Sequence, residues 1–290
     1  MCRYPIYNKA AGVDVPCGQC MHCRVNKQRV WAMRIVLESL AHESSLFVTL
    51  TYNDQHLVFN NKDAVLYYPD VQAFLKRLRE RDVPRFRFYC VGEYGERTQR
   101  PHYHLAMFGL SMDHCRHIDA AWSDDLGPIG HVNYGSLTWD SAAYIAGYVT
   151  KKMTCVDDPR LYGRSPEFAK MSLRPGIGAS YVEKMSEILG PHIVQYIAST
   201  GDVPTTLNMG SKTLPLGRYM ISKLRKQFNV EVIGDAKKKA YKTKMRIVRE
   251  AESCPSSPLN KPLRLEKLAR FQKMTNREAR AAIFKKEKKL

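Results

Sequence analysis

Apolar and polar positions alternate with period two in four stretches of the chain, and several others carry a helical period. Leu46-Phe47-Val48-Thr49-Leu50-Thr51-Tyr52 is a β-branched, aromatic-rich run that Asn53-Asp54 stops. Arg85 to Gly92, His102 to Gly109 and the shorter Gly130 to Leu137 have the same character, so each reads as a strand. Helical spacing covers Arg24 to His42, Asp70 to about Arg81, Met112 to Leu126, and a stretch that Asp140 caps and that runs through Lys152. The order is strand, helix, strand, strand, helix, strand. It predicts an α+β fold of the ferredoxin-like βαββαβ kind around a central antiparallel sheet. A turn-rich connection separates the second and third strands, which should therefore form an antiparallel hairpin.

Residues 153–211 carry several Pro and Gly breaks and two short helical patterns, near Tyr181–Leu189 and His192–Ala198. A long helical pattern follows from Gly217 to Glu252, broken near Gly234-Asp235. Pro255-Ser256-Ser257-Pro258 interrupts it, and a second basic helical stretch runs from Leu263 onward. The predicted organisation is one domain over 1–211, made of an N-terminal Cys-rich element and helix (1–43), a core (44–152) and an extension (153–211). A basic, mostly helical region (212–290) completes it.

Charge changes this picture. Of the net +18, the last region holds +16, with 23 of the 46 Lys/Arg but 7 of the 28 Asp/Glu. The body is nearly neutral and the C-terminal quarter is a polycation, for which an acidic partner, most often nucleic acid, is the default inference; a solvated tail is the other reading. The basic residues Lys237, Lys238, Lys239, Lys242, Lys244, Arg246 and Arg249 would neutralise phosphates. No run of about 18 apolar residues occurs, so no transmembrane helix or membrane role is expected. Met1-Cys2-Arg3-Tyr4-Pro5 is not followed by an apolar stretch, so no secretory leader is expected and a cytoplasmic location is. There the eight cysteines would be free or metal-bound rather than disulfide-bonded.

Three groups of residues carry candidate chemistry. His102 and His104 flank Tyr103 in a strand, so both imidazoles share one face, where they can hold one divalent metal or simply pack. Glu93 leaves the preceding strand level with His102 and would supply a third ligand, with Glu96 as the alternative; such a set suits Mg²⁺ or Mn²⁺. Tyr144 and Tyr148 are four apart, on one helical face, with Lys151 and Lys152 a turn later; core packing is the plainer reading of such a pair. Cys2, Cys17, Cys20 and Cys23 could supply four thiolates to a structural zinc, with His22 as a spare, or remain free thiols. Thr49 and Thr51 place hydroxyls on one face of the first strand, turned to a groove that could take DNA, or serve only β propensity.

In combination these motifs resemble the HUH rolling-circle endonucleases, and within them the replication initiators of gokushovirus-like microviruses. The resemblance rests on FVTLTY (Phe47–Tyr52), GEYGERTQRPHYH (Gly92–His104) and YIAGYVTKK (Tyr144–Lys152). PCGQCMHCR (Pro16–Arg24) and MSLRPGIG (Met171–Gly178) also look like that group, so the matching motifs span roughly residues 16–178. The two tyrosines resemble the two-tyrosine class. The resemblance implies a site-specific nicking and joining endonuclease, a nucleotidyltransferase that initiates and terminates rolling-circle replication of a phage genome. A tyrosine nucleophile would take the 5′ end covalently, Lys151 (Lys152 less so) would stabilise charge, and a metal on His102, His104 and Glu93 would act on the phosphate. Single-stranded and origin DNA would be its partners in the cytoplasm of a bacterial host. Helicase and polymerase would come from the host, because no G-x-x-x-x-G-K-[ST] loop is present. A plasmid initiator, a relaxase or a transposase could use similar motifs. From a different class, a non-catalytic, zinc-stabilised nucleic-acid-binding protein would leave the histidine strand and tyrosine helix as coincidence.

Overall fold

A computed structural model describes residues 2–9, 13–95, 97–148, 161–210, 212–230, 247, 250, 253–254 and 258–287. The chain starts with β1 (Ile6–Asn8), β2 (Val13–Val15), α1 (Met21–Leu40), β3 (Ser45–Thr51), β4 (Phe59–Asn60), β5 (Asp63–Ala64) and α2 (Tyr68–Arg79). It continues with β6 (Arg87–Tyr94), β7 (Pro101–Phe108), α3 (Cys115–Ala121), β8 (Ser123–Asp124), β9 (Gly127–Pro128), β10 (Val132–Ser136) and α4 (Trp139–Tyr148). β11 (Phe168–Met171), α5 (Val182–Thr200), β12 (Thr206–Met209), β13 (Lys212–Pro215), α6 (Gly217–Gln227) and α7 (Asn260–Glu287) follow. The fold is mixed α+β. It divides into two compact units, Lys27–Val230 and Met1–Asn26 with Glu231–Leu290.

The larger unit is built on a five-stranded antiparallel sheet in the order β10-β3-β7-β6-β11. Alternation along β7 decides what each face holds. Tyr103, Leu105 and Met107 point to one side, where they meet Val71, Phe74, Leu75 and Leu78 of α2, Ile118 and Ala121 of α3, and Trp122. Ala106 and Phe108 point to the other, against Ala32 and Ile35 of α1 and Ala142, Ile145 and Ala146 of α4. Met33 and Leu37, elsewhere around α1, join a further cluster with Val182 and Met185 of α5, Leu214 of β13, and Met220 and Leu224 of α6. Tyr103 is wholly buried, and its hydroxyl is satisfied: it shares a 2.9 Å hydrogen bond with the Tyr52 hydroxyl, accepts from the Tyr67 amide and donates to the Tyr67 carbonyl. A large residue between two histidines is tolerated because its polar end has partners.

Several boundaries differ from the sequence expectation. β6 extends to Tyr94, so Glu93 lies inside the strand, directly opposite His102. The helix expected from Met112 to Leu126 is shorter, beginning as a 3₁₀ turn and ending at Ala121. Trp122 is pulled out of it because its ring packs against Tyr52, Phe74 and Tyr103 while its indole N–H donates to the Thr51 carbonyl at 2.9 Å. The two helical patterns after Tyr181 are one helix, α5, with Pro191 inside. The helix from Gly217 stops at Gln227, and residues 231–246 lie outside the described part of the chain. β11 was not anticipated among its Pro and Gly neighbours. Gly130 is required by close approach: a Cβ there would lie 1.9 Å from the Thr51 carbonyl oxygen. Among the described residues no helix is long and apolar enough to cross a membrane.

Candidate functional site

The two strands β6 and β7 place one row of side chains at the end of the sheet. Register pairs Glu93 with His102 and His102 with Thr51; one step further in, Val91, His104 and Thr49 align. Directly opposed residues in an antiparallel pair point to the same face, so Glu93 and both imidazoles converge. The Glu93 Oε1 atom is 2.8 Å from His102 Nε2 and 3.1 Å from His104 Nε2. Glu93 and His104 are buried, and His102 is half-buried.

The remaining ring nitrogens fix how each imidazole is held. His104 Nδ1 is 2.8 Å from the Thr49 hydroxyl, and His102 Nδ1 is 3.2 Å from the Arg100 carbonyl oxygen. A carbonyl only accepts, so His102 Nδ1 carries the proton and Nε2 has a lone pair to offer; Thr49 can play the same role for His104. Two imidazole nitrogens and one carboxylate oxygen, all within 4.8 Å of one another, are a donor set that fits a divalent cation. The predicted ligand set is brought together, while Glu96 lies outside the described residues.

Helix α4 lays both tyrosines over this set. The Tyr148 ring stacks on His104 with centroids 5.8 Å apart, Tyr144 meets His104 edge-on at 5.3 Å, and the two phenol rings are 5.1 Å apart and perpendicular. They are not equivalent: Tyr148 is 9% exposed and Tyr144 is 49% exposed. Burial pushes the Tyr148 phenol upward, and hydrogen bonds with Tyr144 and Glu93, together with the Glu93 charge, add to the shift. Tyr148 beside an uncompensated Glu93 charge is therefore held protonated at neutral pH. Two neighbours escaped the sequence reading. Phe47 stacks against His104 at 5.5 Å and meets Tyr144 at 6.3 Å, while Gln28 of α1 donates to the Ala143 carbonyl at 2.9 Å and ties α4 down. Phe47 shares its strand face with Thr49, a signal that period-two spacing does carry.

The hydroxyl of Thr51 donates to the His131 carbonyl at 3.1 Å, so both threonines of that face are engaged within the protein. Lys151, Lys152, Lys237, Lys238, Lys239, Lys242, Lys244, Arg246 and Arg249 lie outside the described residues. In the smaller unit Cys2, Cys17, Cys20 and Cys23 are gathered, their sulfurs all within 4.8 Å of one another, a second set that could hold a metal. Backbone N–H groups of Arg3 and Cys23 hold the Cys20 thiol down to about 6 against the opposing effect of burial, which instead pushes Cys23 up to about 12. His22 is not part of that set.

Residues 45–153, which include the histidine strand and both tyrosines, match the family model of the ORF2-type replication-associated proteins. The chain is similar to the replication-associated protein VP4 of Bdellovibrio phage phiMH2K, 32% identical over 203 residues, covering 63% of this chain and 62% of that one. It is also similar to the replication-associated protein ORF2 of Spiroplasma virus 4 (34% over 190 residues, 60% and 58%) and ORF4 of Chlamydia phage 1 (25% over 191 residues, 60% and 47%). The chain thus spans less than two thirds of the length of these relatives. No solved structure matches. The resemblance to phage replication proteins drawn from the motifs is borne out by the matched family and by all three relatives.

Proposed function

We propose that the chain is a nicking and joining endonuclease that initiates and terminates rolling-circle replication of a phage genome. The observation that carries this reading is the placement of two tyrosines against a two-histidine, one-carboxylate set, with ring centroids 5.3 and 5.8 Å from His104. The names of the relatives, all replication-associated proteins, support it. So does strand order: the four strands β3, β6, β7 and β10 lie as 4-1-3-2 in chain numbering, with α2 and α3 on one face, the arrangement of a ferredoxin-like βαββαβ unit.

A tyrosine oxygen attacks the scissile phosphorus, the P–O3′ bond breaks, and the 3′ oxygen leaves with a proton as a free hydroxyl. The 5′ phosphate stays on the tyrosine as a phosphodiester, so a 3′-hydroxyl can reverse the step and rejoin the strand without ATP. A divalent ion, Mg²⁺ or Mn²⁺, held by His102, His104 and Glu93 would neutralise and polarise the phosphate. Thr49 and Arg100 hold the imidazoles in orientation for that role, and Phe47 sets the Tyr144 ring beside His104. Lys151, with Lys152 as the lesser candidate, supplies positive charge to the phenolate or the phosphate. Tyr144 and Tyr148 alternate as nucleophiles, so that a displaced strand is cut while the first 5′ end is still attached. The core (44–152) and its extension to 211 carry the chemistry. The basic C-terminal region and Thr49 and Thr51 contribute DNA contacts, and host helicase and polymerase act alongside in the bacterial cytoplasm.

One gel tests the reading. Purified protein is incubated with a labelled single-stranded oligonucleotide from its own genome and Mn²⁺ or Mg²⁺. Cleavage and an SDS-resistant adduct, both abolished by EDTA, are the expected result. Tyr144→Phe with Tyr148→Phe removes the adduct while each single change leaves part of it; full adduct in the double variant would refute the tyrosine chemistry.

A further inference from the structure

We propose that Cys2, Cys17, Cys20 and Cys23 hold one structural zinc ion, and that this zinc site anchors the basic helix α7. The inference concerns the smaller unit and stands independently of the nicking chemistry.

The geometry is that of a tetrahedral thiolate site. Cys2 and Cys20 sulfurs are 3.9 Å apart, and Cys17 and Cys23 sulfurs 4.0 Å apart. A zinc ion with Zn–S bonds of about 2.3 Å needs sulfurs roughly 3.8 Å apart, whereas a disulfide needs about 2 Å. All four cysteines are free. The local chain is shaped to bring them there. β1 and β2 pair from Ile6–Val15 to Asn8–Val13, which sets Cys2 and Cys17 just outside the open end of the hairpin. Gly18, at φ +74°, turns the chain back so that Cys20 faces the same point, and Cys23 lies in the first turn of α1. Backbone N–H groups of Cys17 and Cys20 donate to the sulfurs of Cys2 and Cys17 at 3.2 and 3.3 Å. Such N–H···S bonds stabilise thiolate charge, as a metal-binding thiolate set requires.

This unit also lacks any other source of cohesion among its described residues. None of the three buried hydrophobic clusters includes a residue of 1–26 or 231–290. Tyr4, Ile6 and Tyr7 are at least half exposed, as are Leu265, Leu268 and Phe271 of α7. A small unit without an apolar core needs a covalent or metal staple to hold a fixed structure. The residues that reach α7 are neighbours of the ligands. Arg3, next to Cys2, ion-pairs with Glu278 of α7, and His22, between Cys20 and Cys23, brings its Nε2 atom to 3.4 Å from the same carboxylate. His22 is 4% exposed, so its position is set by the knot around it. Zinc therefore fixes the two side chains that grip α7, and the helix carries Lys261, Arg264, Lys273 and Arg277 on exposed positions.

The test uses full-length protein, purified reduced and dialysed free of loose metal. Elemental analysis is expected to give one zinc per chain, retained in His102→Ala/His104→Ala and missing from Cys17→Ser/Cys20→Ser. Replacement by Co²⁺ is expected to give thiolate charge-transfer bands together with the visible bands of tetrahedral cobalt. Protease cleavage within α7 should be slow with zinc and at least tenfold faster after chelation, while Glu278→Gln should speed it with zinc still bound. Absence of stoichiometric zinc and of the cobalt spectrum overturns the metal site. Zinc retained with an α7 cleavage rate unaffected by chelation, or by Glu278→Gln, overturns the anchoring. Neither result bears on adduct formation, which is measured separately.

Discussion

Each imidazole of the site spends one nitrogen on orientation and keeps the other for Glu93 and its ligand. For His104 the orienting partner is the Thr49 hydroxyl at 2.8 Å. A threonine was legible in the strand, but its partner was not, because cross-strand register is a tertiary property that no spacing along one strand reveals. Thr49→Val keeps the shape and removes the hydrogen bond. It should raise the Mn²⁺ concentration for half-maximal adduct formation by about 10- to 100-fold, with the plateau largely recovered at saturating metal. An unchanged metal titration would assign Thr49 to packing alone. The tyrosines differ on the same scale. Tyr144 is the exposed ring and Tyr148 the buried one, stacked on His104 and hydrogen-bonded toward Glu93. Helical spacing placed both on one face, and only packing against the sheet distinguishes them.

Between elements, α1 does more than fill space behind the sheet. Its last turn buries Glu38 completely, and the carboxylate gathers three other segments. Arg87 of β6 lies 2.6 Å away, the Gly178 amide donates at 2.6 Å, and the Ser180 hydroxyl at 3.2 Å. Arg34, one turn earlier, donates to the Ile177 carbonyl at 2.9 Å and sits between the rings of Trp31 and Tyr219. These contacts give MSLRPGIG a physical role: the turn it forms is clamped to α1, and Gly178, at φ +87°, passes 3.0 Å from the Arg34 backbone oxygen where a Cβ would sit. Glu38 had looked like one charge among several around a helix, since nothing in local sequence marks a carboxylate for burial. Burial raises its pKa, but the His42 hydrogen bond, the Gly178 amide and the Arg87 charge outweigh that and leave it below the usual 4.5. A group depressed in the folded state stabilises fully above its unfolded value and loses that contribution as pH falls through the folded one. Glu38→Ala should therefore cost roughly 3–5 kcal/mol at pH 7, the usual effect of breaking a buried pair. In urea unfolding the gap to wild type should narrow as pH drops below about 4.5. A pH-independent difference would mean that packing, not charge, accounts for the loss.

For the molecule as a whole, the boundary between core and basic region is not where charge composition alone would draw it. Lys212 begins the basic quarter of the sequence, yet Leu214, Leu216, Met220 and Leu224 are all buried with α1 and α5 in the larger unit. A chain cut near Ser211 would lose four core side chains along with the charges it was meant to remove. Each such side chain contributes on the order of 1.5–3 kcal/mol of burial. Composition reports charge and says nothing about which face of α6 is covered, so the amphipathic helix was read with the polycation it precedes. The sheet, the histidine strand and the tyrosine helix were legible because each is a local periodicity. β11, the Glu38 clamp and the place of α6 were not, because each depends on residues far apart in sequence meeting in space. The electrostatic contribution is better tested on the intact chain, by neutralising exposed charges of α7. Lys261→Gln, Arg264→Gln, Lys273→Gln and Arg277→Gln together should leave the melting temperature within a few degrees and weaken single-stranded DNA binding at low salt. If these residues meet phosphates, the slope of log affinity against log salt should flatten by about 0.7 for each phosphate no longer neutralised. Competition with an oligonucleotide of unrelated sequence should change in parallel, since phosphate contacts carry no sequence information. A slope identical to wild type would place the DNA track on the larger unit alone.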